Sequence, residues 1–172
     1  MFEERLKQYV GTADIGIYPE SRDVSLYTQK VKDIGCSDKI DYIIGTIETS
    51  GIYKHEDEEK NVWIRGITYD DLQKINPVLF RDQKNLFPFK GKKIIIGAHT
   101  ADRYQLKPGD KMKVVVNTTT LRLIVAGIGE SEGFFIADER TTNVIIPVEV
   151  LEGLFSMRGR AGTIHVKAKN PE

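Results

Sequence analysis

The sequence predicts an α+β fold in two lobes, and three observations predict it. Segments in which β-branched and long apolar residues alternate with polar ones, or run together, recur along the chain. Between them lie short segments with apolar residues at helical spacing. These patterns group into a strand-helix-strand run in the N-terminal part, a βαβ or split-βαβ unit, and a strand-helix-turn-hairpin unit at residues 91–128. The expected lobes are residues 1–75 with 162–172, and a strand-rich second lobe of residues 76–161.

The elements follow in order. Residues 2–10 place apolar side chains at 2, 6, 9 and 10, a helical spacing. Residues 13–18 alternate and read as the first strand. Residues 19–23 form a loop in which Ser21 or Asp23 can cap the next helix, residues 24–34, with Leu26, Tyr27, Val31 and Ile34 on one face. Gly35 fits that helix's C-terminal cap. A long strand at 42–53 and another at 61–68 flank the charged tip His55-Glu56-Asp57-Glu58-Glu59-Lys60, a solvated turn. Tyr69-Asp70-Asp71-Leu72 starts a helix with acids where the helix dipole favours them, and it fades toward Asn76-Pro77. Residues 81–90 read as an irregular connection, with Phe80, Leu86, Phe87 and Phe89 placed to cover a core edge.

Residues 91–128 organise the chain. A basic turn (Gly91, Lys92, Lys93) leads into the apolar run 94–96, then a helical segment at 98–106 on which Ala98, Ala101 and Leu106 share a face. Lys107-Pro108-Gly109-Asp110 makes a turn: Pro fixes φ, Gly supplies a positive φ, and Asp bonds its own backbone. Strands at 111–116 and 121–128 follow, joined at 117–120. Residues 129–140 form a long loop, 141–147 a strand, 148–155 a short helix, 157–162 a basic glycine-rich turn and 162–168 the last strand. Asn170-Pro171-Glu172 then reads as the start of a helix. No internal repeat or low-complexity segment is evident.

Composition bounds the function classes. A chain of 172 residues makes one domain or two small subdomains, burying about two-thirds of its unfolded surface. Its 25 Lys and Arg balance 25 Asp and Glu, so no overall field draws it to nucleic acid. The longest apolar runs, such as Ile94-Ile95-Ile96 and Val144-Ile145-Ile146, fall far short of the roughly 20 residues of a spanning helix. Met1 is followed by charged residues rather than a secretory leader, which on its own points to a soluble cytosolic protein. The lone Cys36 excludes an internal disulfide and leaves the compartment open.

Candidate chemistry is sparse. His99, Asp102 and Arg103 fall within one helical turn, but no Gly-x-Ser-x-Gly or Cys–His pairing accompanies them, and the polar side of an amphipathic helix explains them better than a hydrolase or isomerase site. The acids at 56–59 are consecutive, whereas a calcium loop needs alternating ligands and a central Gly. His165 lies in an alternating strand and reads as a packed side chain. No metal site or cofactor is expected, and no Walker A motif occurs. Two patches point to partner contact. Phe134-Phe135-Ile136, rimmed by Glu130, Glu132, Asp138 and Glu139, is either an apolar contact tip or a loop folded back over the hairpin. Arg158 and Arg160, with Arg140, form a basic patch suited to a phosphate, a lipid headgroup or an acidic protein surface, unless it serves solubility alone.

The words IIIGAHTADRYQLKPGDKMKVVV, LRLIVAGIGESEGFF and TNVIIPVEVLEGLF resemble the MacB-like periplasmic core domain, found in ABC-transporter permeases related to FtsX. The matching residues are Gly97, Ala101, Leu106, Lys107, Gly109 and Asp110, then Val125, Gly127 and Ile128, then Ile145, Ile146 and Pro147. The resemblance implies a porter-like βαβ lobe beside the strand-rich one, and an extracytoplasmic domain that couples ATP-driven motion in the membrane part to substrate or partner handling outside. It implies membrane helices on both sides of this region, residues 2–10 close to the bilayer, and a helix and strand beyond Glu172. Its implied partners are an ABC ATPase subunit, the permease's own membrane helices in a dimeric transporter, and a protein or lipoprotein outside the membrane. An LKPGD turn also occurs in unrelated β-barrels, so a stand-alone β-rich binding module remains the alternative.

Overall fold

A computed structural model describes residues 13–18, 37–136, 142–158 and 160–169. The expected helices at 2–10 and 24–34, Cys36, Arg140 and the Asn170-Pro171-Glu172 signature lie outside the described residues. Among those described, nine strands share one hydrogen-bonded network: β1 (Ile15–Ile17), β2 (Ile40–His55), β3 (Glu58–Ile67), β4 (Phe80–Gln83), β5 (Lys93–Gly97), β6 (Lys111–Val116), β7 (Thr119–Gly129), β8 (Thr142–Pro147) and β9 (Thr163–Ala168). Three short helices, α1 (Tyr69–Ile75), α2 (Ala98–Tyr104) and α3 (Val148–Leu154), accompany them.

The pairing closes on itself. The order β2-β3-β8-β5-β7 is continued by β6, which pairs β7 on one side and β2 on the other, so six strands form a closed barrel with no free edge between them. The interior is filled by Tyr53, Val62, Ile64, Ile94, Ile96, Met112, Val114, Val116, Leu123, Val125, Val144 and Ile146. These are the alternate, inward positions of each strand. Because β5 and β8 run antiparallel, the helices after them cover opposite mouths. α2 presents Ala98, Ala101 and Tyr104 to the core, and α3 presents Leu151.

Closure has a sterically critical point. A Cβ on Gly51 would lie 2.9 Å from the Val115 carbonyl oxygen, beside the Ile52–Val115 pairing that joins β2 to β6. Only glycine lets the two backbones meet there. Further round the barrel, Lys107-Pro108-Gly109-Asp110 is sewn to β7: Gly109 N–H donates to Val125 O at 2.7 Å and Val125 N–H to Asp110 O at 2.8 Å. The Asp110 carboxylate accepts from Lys107 N–H at 2.8 Å, and Gly109 takes φ +99.

Among the described residues β2 is the longest element, with 16 residues, roughly 50 Å at about 3.3 Å per residue. Up to Thr46 it pairs with β9, which carries β1 on its far side; from Ile47 onward it pairs with β3 inside the barrel. β2 and β3, expected in the N-terminal lobe, thus share their sheet and core with the strands of residues 93–147. A second apolar cluster lies outside the barrel wall, where Ile67, Leu72, Ile75, Ile95, Ala126 and Ile145 pack with Leu86 and Phe89.

Most expected elements are present, with three differences. Within residues 81–90, read as irregular, β4 pairs to β7. The loop at 117–120 tightens to Asn117-Thr118, with Asn117 at φ 54, a left-handed conformation that Asn tolerates. Phe87, expected to cover a core edge, is 62% exposed, whereas Leu86 and Phe89 are buried.

Candidate functional site

The point where β2 changes partner is polar and buried. Thr46, fully buried, and His165 on β9 share a hydrogen bond, with Oγ1 and Nε2 3.0 Å apart. Two residues on, Arg65 of β3 sits directly across from Glu48 of β2. Arg65 Nε donates to Glu48 Oε1 at 2.7 Å and Nη1 donates to Asn76 Oδ1 at 2.8 Å. The guanidinium stands 4.5 Å above the centre of the Phe134 ring, a cation–π contact that covers its open face. One arginine therefore joins β2, β3, the end of α1 and the residue 133–135 turn. His165 is held down to about 4, first by burial and then by the positive charge of Arg65, with Glu48 opposing. It is neutral at neutral pH and adds no second charge to the junction.

The chain leaves this region at one end of the molecule. Asp14 N–H donates to Val166 O at 2.9 Å, Ala168 N–H donates to the Asp14 carboxylate at 2.9 Å, and Lys169 N–H donates to Lys39 O at 2.7 Å. Positions 14, 39 and 169 therefore lie together, while β2 carries the fold away from them to the Glu56-Asp57 turn at its opposite end.

The residues singled out in the sequence fall as follows. Phe134 and Phe135 are each 5% exposed. The loop folds back, and Phe135 occupies a recess left by two glycines: a Cβ on Gly97 would lie 3.0 Å from its Cβ, and one on Gly129 2.7 Å from its ring. Gly97 and Gly129 are register partners on β5 and β7. The reading of Phe134 and Phe135 as an exposed tip is thus corrected, because burying both rings over the barrel wall removes more apolar surface than leaving them in water. Ile136 remains 40% exposed. Gly127 makes room for the Phe80 ring, Ala101 and Leu106 are buried in the barrel core, and Pro147 ends β8 and leads into α3. Arg158 and Arg160 are exposed.

The catalytic reading of His99, Asp102 and Arg103 finds no converging geometry. All three are exposed; Asp102 pairs with Arg81 at 2.9 Å and Arg103 with Glu58 at 3.1 Å. At the acidic tip, Glu59 stands 3.8 Å from Lys54. Sequence reasoning passed over Arg65, Glu48 and Thr46. The available signal was one charge inside an apolar strand, Ile64-Arg65-Gly66-Ile67, with an opposite charge in the preceding strand.

The whole sequence, residues 1–172, matches the MacB-like periplasmic core domain, and the chain belongs to that family. Its fold is shared with the extracellular domain of the noncanonic ABC-type transporter YknZ from Gram-positive bacteria: TM-score 0.60, 12% identity, over 90% of this chain and 82% of that one. The periplasmic region of MacB from Actinobacillus actinomycetemcomitans aligns with TM-score 0.52 and 13% identity over 84% of this chain and 65% of that one. A domain of a putative permease protein from Porphyromonas gingivalis gives TM-score 0.52 and 9% identity over 95% and 64%. The chain thus spans somewhat under two-thirds of the latter two. At these identities the likeness is one of fold. No curated protein matches the sequence. Among the described residues no helix is long and apolar enough to cross a membrane.

Proposed function

We propose that this chain is the extracytoplasmic domain of an ABC-transporter permease and acts there as a lever, coupling ATP-driven motion in the membrane part to the handling of a substrate or partner outside. Family membership supports the setting. The observation that carries the lever is β2, a single strand that begins beside positions 14 and 169 and ends at the far side of a closed barrel. A displacement at the end where the flanking chain enters and leaves is carried by β2 directly into the barrel, because a hydrogen-bonded, packed strand does not stretch. Thr46, Glu48, Arg65 and His165 hold the point where β2 changes partner from β9 to β3, and a buried, packed junction of this kind moves in discrete steps rather than deforming smoothly. Membrane helices of the same permease flank the domain, the ATPase acts from another domain or subunit, and the transporter is a dimer.

The test uses the full-length permease with its ATPase. With the native cysteines, Cys36 among them, replaced by Ser, a spin label at Asp57, in the far turn, reads tip-to-tip distance between two protomers. The expected result is a distance distribution that changes between nucleotide-free and ATP-trapped states. An active transporter giving one unchanged distribution, or no inter-protomer distance at all, refutes the lever.

A further inference from the structure

The outer wall of the barrel divides into a covered and an uncovered zone. From Arg65 round to β7, the wall is roofed by α1, β4 and the Phe134-Phe135 turn. From Trp63 across β2 and β6 to Arg122 it is open: Ser50, Lys54, Asn61, Trp63, Lys113 and Arg122 are all exposed. Strand register orders this surface into rows, since directly opposed residues of antiparallel strands share a face. Ile52 pairs with Val115 and with Asn61, giving a row whose centre is apolar. Beside it, Lys54 pairs with Lys113, and Lys113 pairs with Arg122. Three cations thus stand side by side on three adjacent strands.

Like charges directly opposite one another destabilise a sheet, so the row costs the fold something. Its one carboxylate, Glu59, lies 3.8 Å from Lys54 at the outer end; among the described residues neither Lys113 nor Arg122 forms an ion pair. Next to the cations a shallow groove of about 500 Å³ is lined by Ser50, Ile52, Asn61, Trp63, Val115 and Asn117. Trp63, 39% exposed, stands over it and is the only tryptophan of the chain.

We propose that this open wall docks an acidic segment of a partner protein, its carboxylates on the Lys54-Lys113-Arg122 row and its apolar side chains in the groove beside Trp63. Charge complementarity selects the sign of the ligand, and the apolar centre of the adjoining row, Ile52 and Val115 beside Trp63, selects a peptide over a free anion. Barrel closure leaves no strand edge here, so the segment lies on the face rather than adding a strand. On the lever reading, a lipid headgroup of the permease's own membrane is out of reach. Lys54 lies 14 residues along β2 from Ile40, roughly 46 Å at about 3.3 Å per residue, many times the screening length of about 8 Å at physiological salt.

The probe is a fluorescein-labelled tandem Glu-Leu-Glu-Gly peptide, with Glu-Ser-Glu-Gly as its equally charged, non-apolar counterpart. Anisotropy reads binding and Trp63 emission reads its place. Expected are saturable, salt-sensitive binding of the Leu peptide with a change in Trp63 emission, and weaker binding of the Ser peptide. K113E/R122E should raise Kd by about tenfold or more, while K84E/K90E, the same change in net charge at exposed positions in the segment after β4, leaves it unaltered. Arg122→Gln alone serves if the double variant loses its circular-dichroism signature. The proposal is overturned if K113E/R122E and Arg122→Gln bind like the parent, if K84E/K90E loses binding equally, or if phosphatidylglycerol vesicles shift Trp63 and the peptides do not. The peptide titrations need neither the permease's membrane part nor nucleotide, so their failure and the failure of the lever are separately visible.

Discussion

Lowering the pH tests the junction through His165. Its folded-state pKa is about 4 against an ordinary 6.5, because burial and then Arg65 disfavour the imidazolium. Between these values the unfolded chain binds a proton that the native state refuses, so stability rises with pH. The His165 contribution is fully present above about pH 6.5 and is lost as pH falls toward 4. From pH 7 to pH 5 the loss is about 2 kcal/mol, taking 1.36 kcal/mol per pKa unit. Carboxylates elsewhere add their own slope, so the informative quantity is a difference. His165→Gln keeps a hydrogen-bonding partner for Thr46 and does not titrate in this range. Urea unfolding of both proteins at pH 7 and pH 5 should show the parent losing about 2 kcal/mol more than the variant. Parallel losses, or an imidazole NMR titration centred near 6.5, would refute the assignment of a buried, neutral His165.

Two further outcomes follow from geometry. Gly51→Ala places a methyl 2.9 Å from a backbone oxygen that cannot rotate away, and should cost about 1–3 kcal/mol, read as a Tm lower by roughly 2–12 °C for a chain of this size; an unchanged Tm would show that β2 and β6 do not close there. Arg65→Met, which strands Glu48 without its partner, should cost about 3–5 kcal/mol, while the joint Glu48→Leu/Arg65→Met variant should recover much of it; losses that simply add would mean the two side chains are not coupled.

The individual elements are legible in the amino-acid sequence itself. The alternation at residues 42–53, the helical spacing of Ala98 and Ala101, the Lys107-Pro108-Gly109-Asp110 turn and the hairpin after it are local, and local sequence carries φ preferences and face periodicity directly. So are the motif glycines: Gly97, Gly127 and Gly109 stand out by pattern, and each meets a close neighbour or takes a positive φ. The family match over residues 1–172 also agrees with the resemblance carried by residues 94–116, 121–135 and 142–155.

Tertiary structure decided which elements meet. Strand order is a choice among partners far apart in sequence, and nothing near Ile52 announces that Val115 closes the barrel against it. The same holds for Phe134 and Phe135, whose burial depends on the recess that Gly97 and Gly129 leave when β5 and β7 lie side by side. Arg65 is the plainest case: alone in its strand it reads as an anomaly, and only the arrival of Glu48, Asn76 and the Phe134 ring from three other segments makes its burial favourable. Each segment's own residues set what it prefers in isolation; desolvation and long-range pairing, which exist only once segments touch, set what those preferences build.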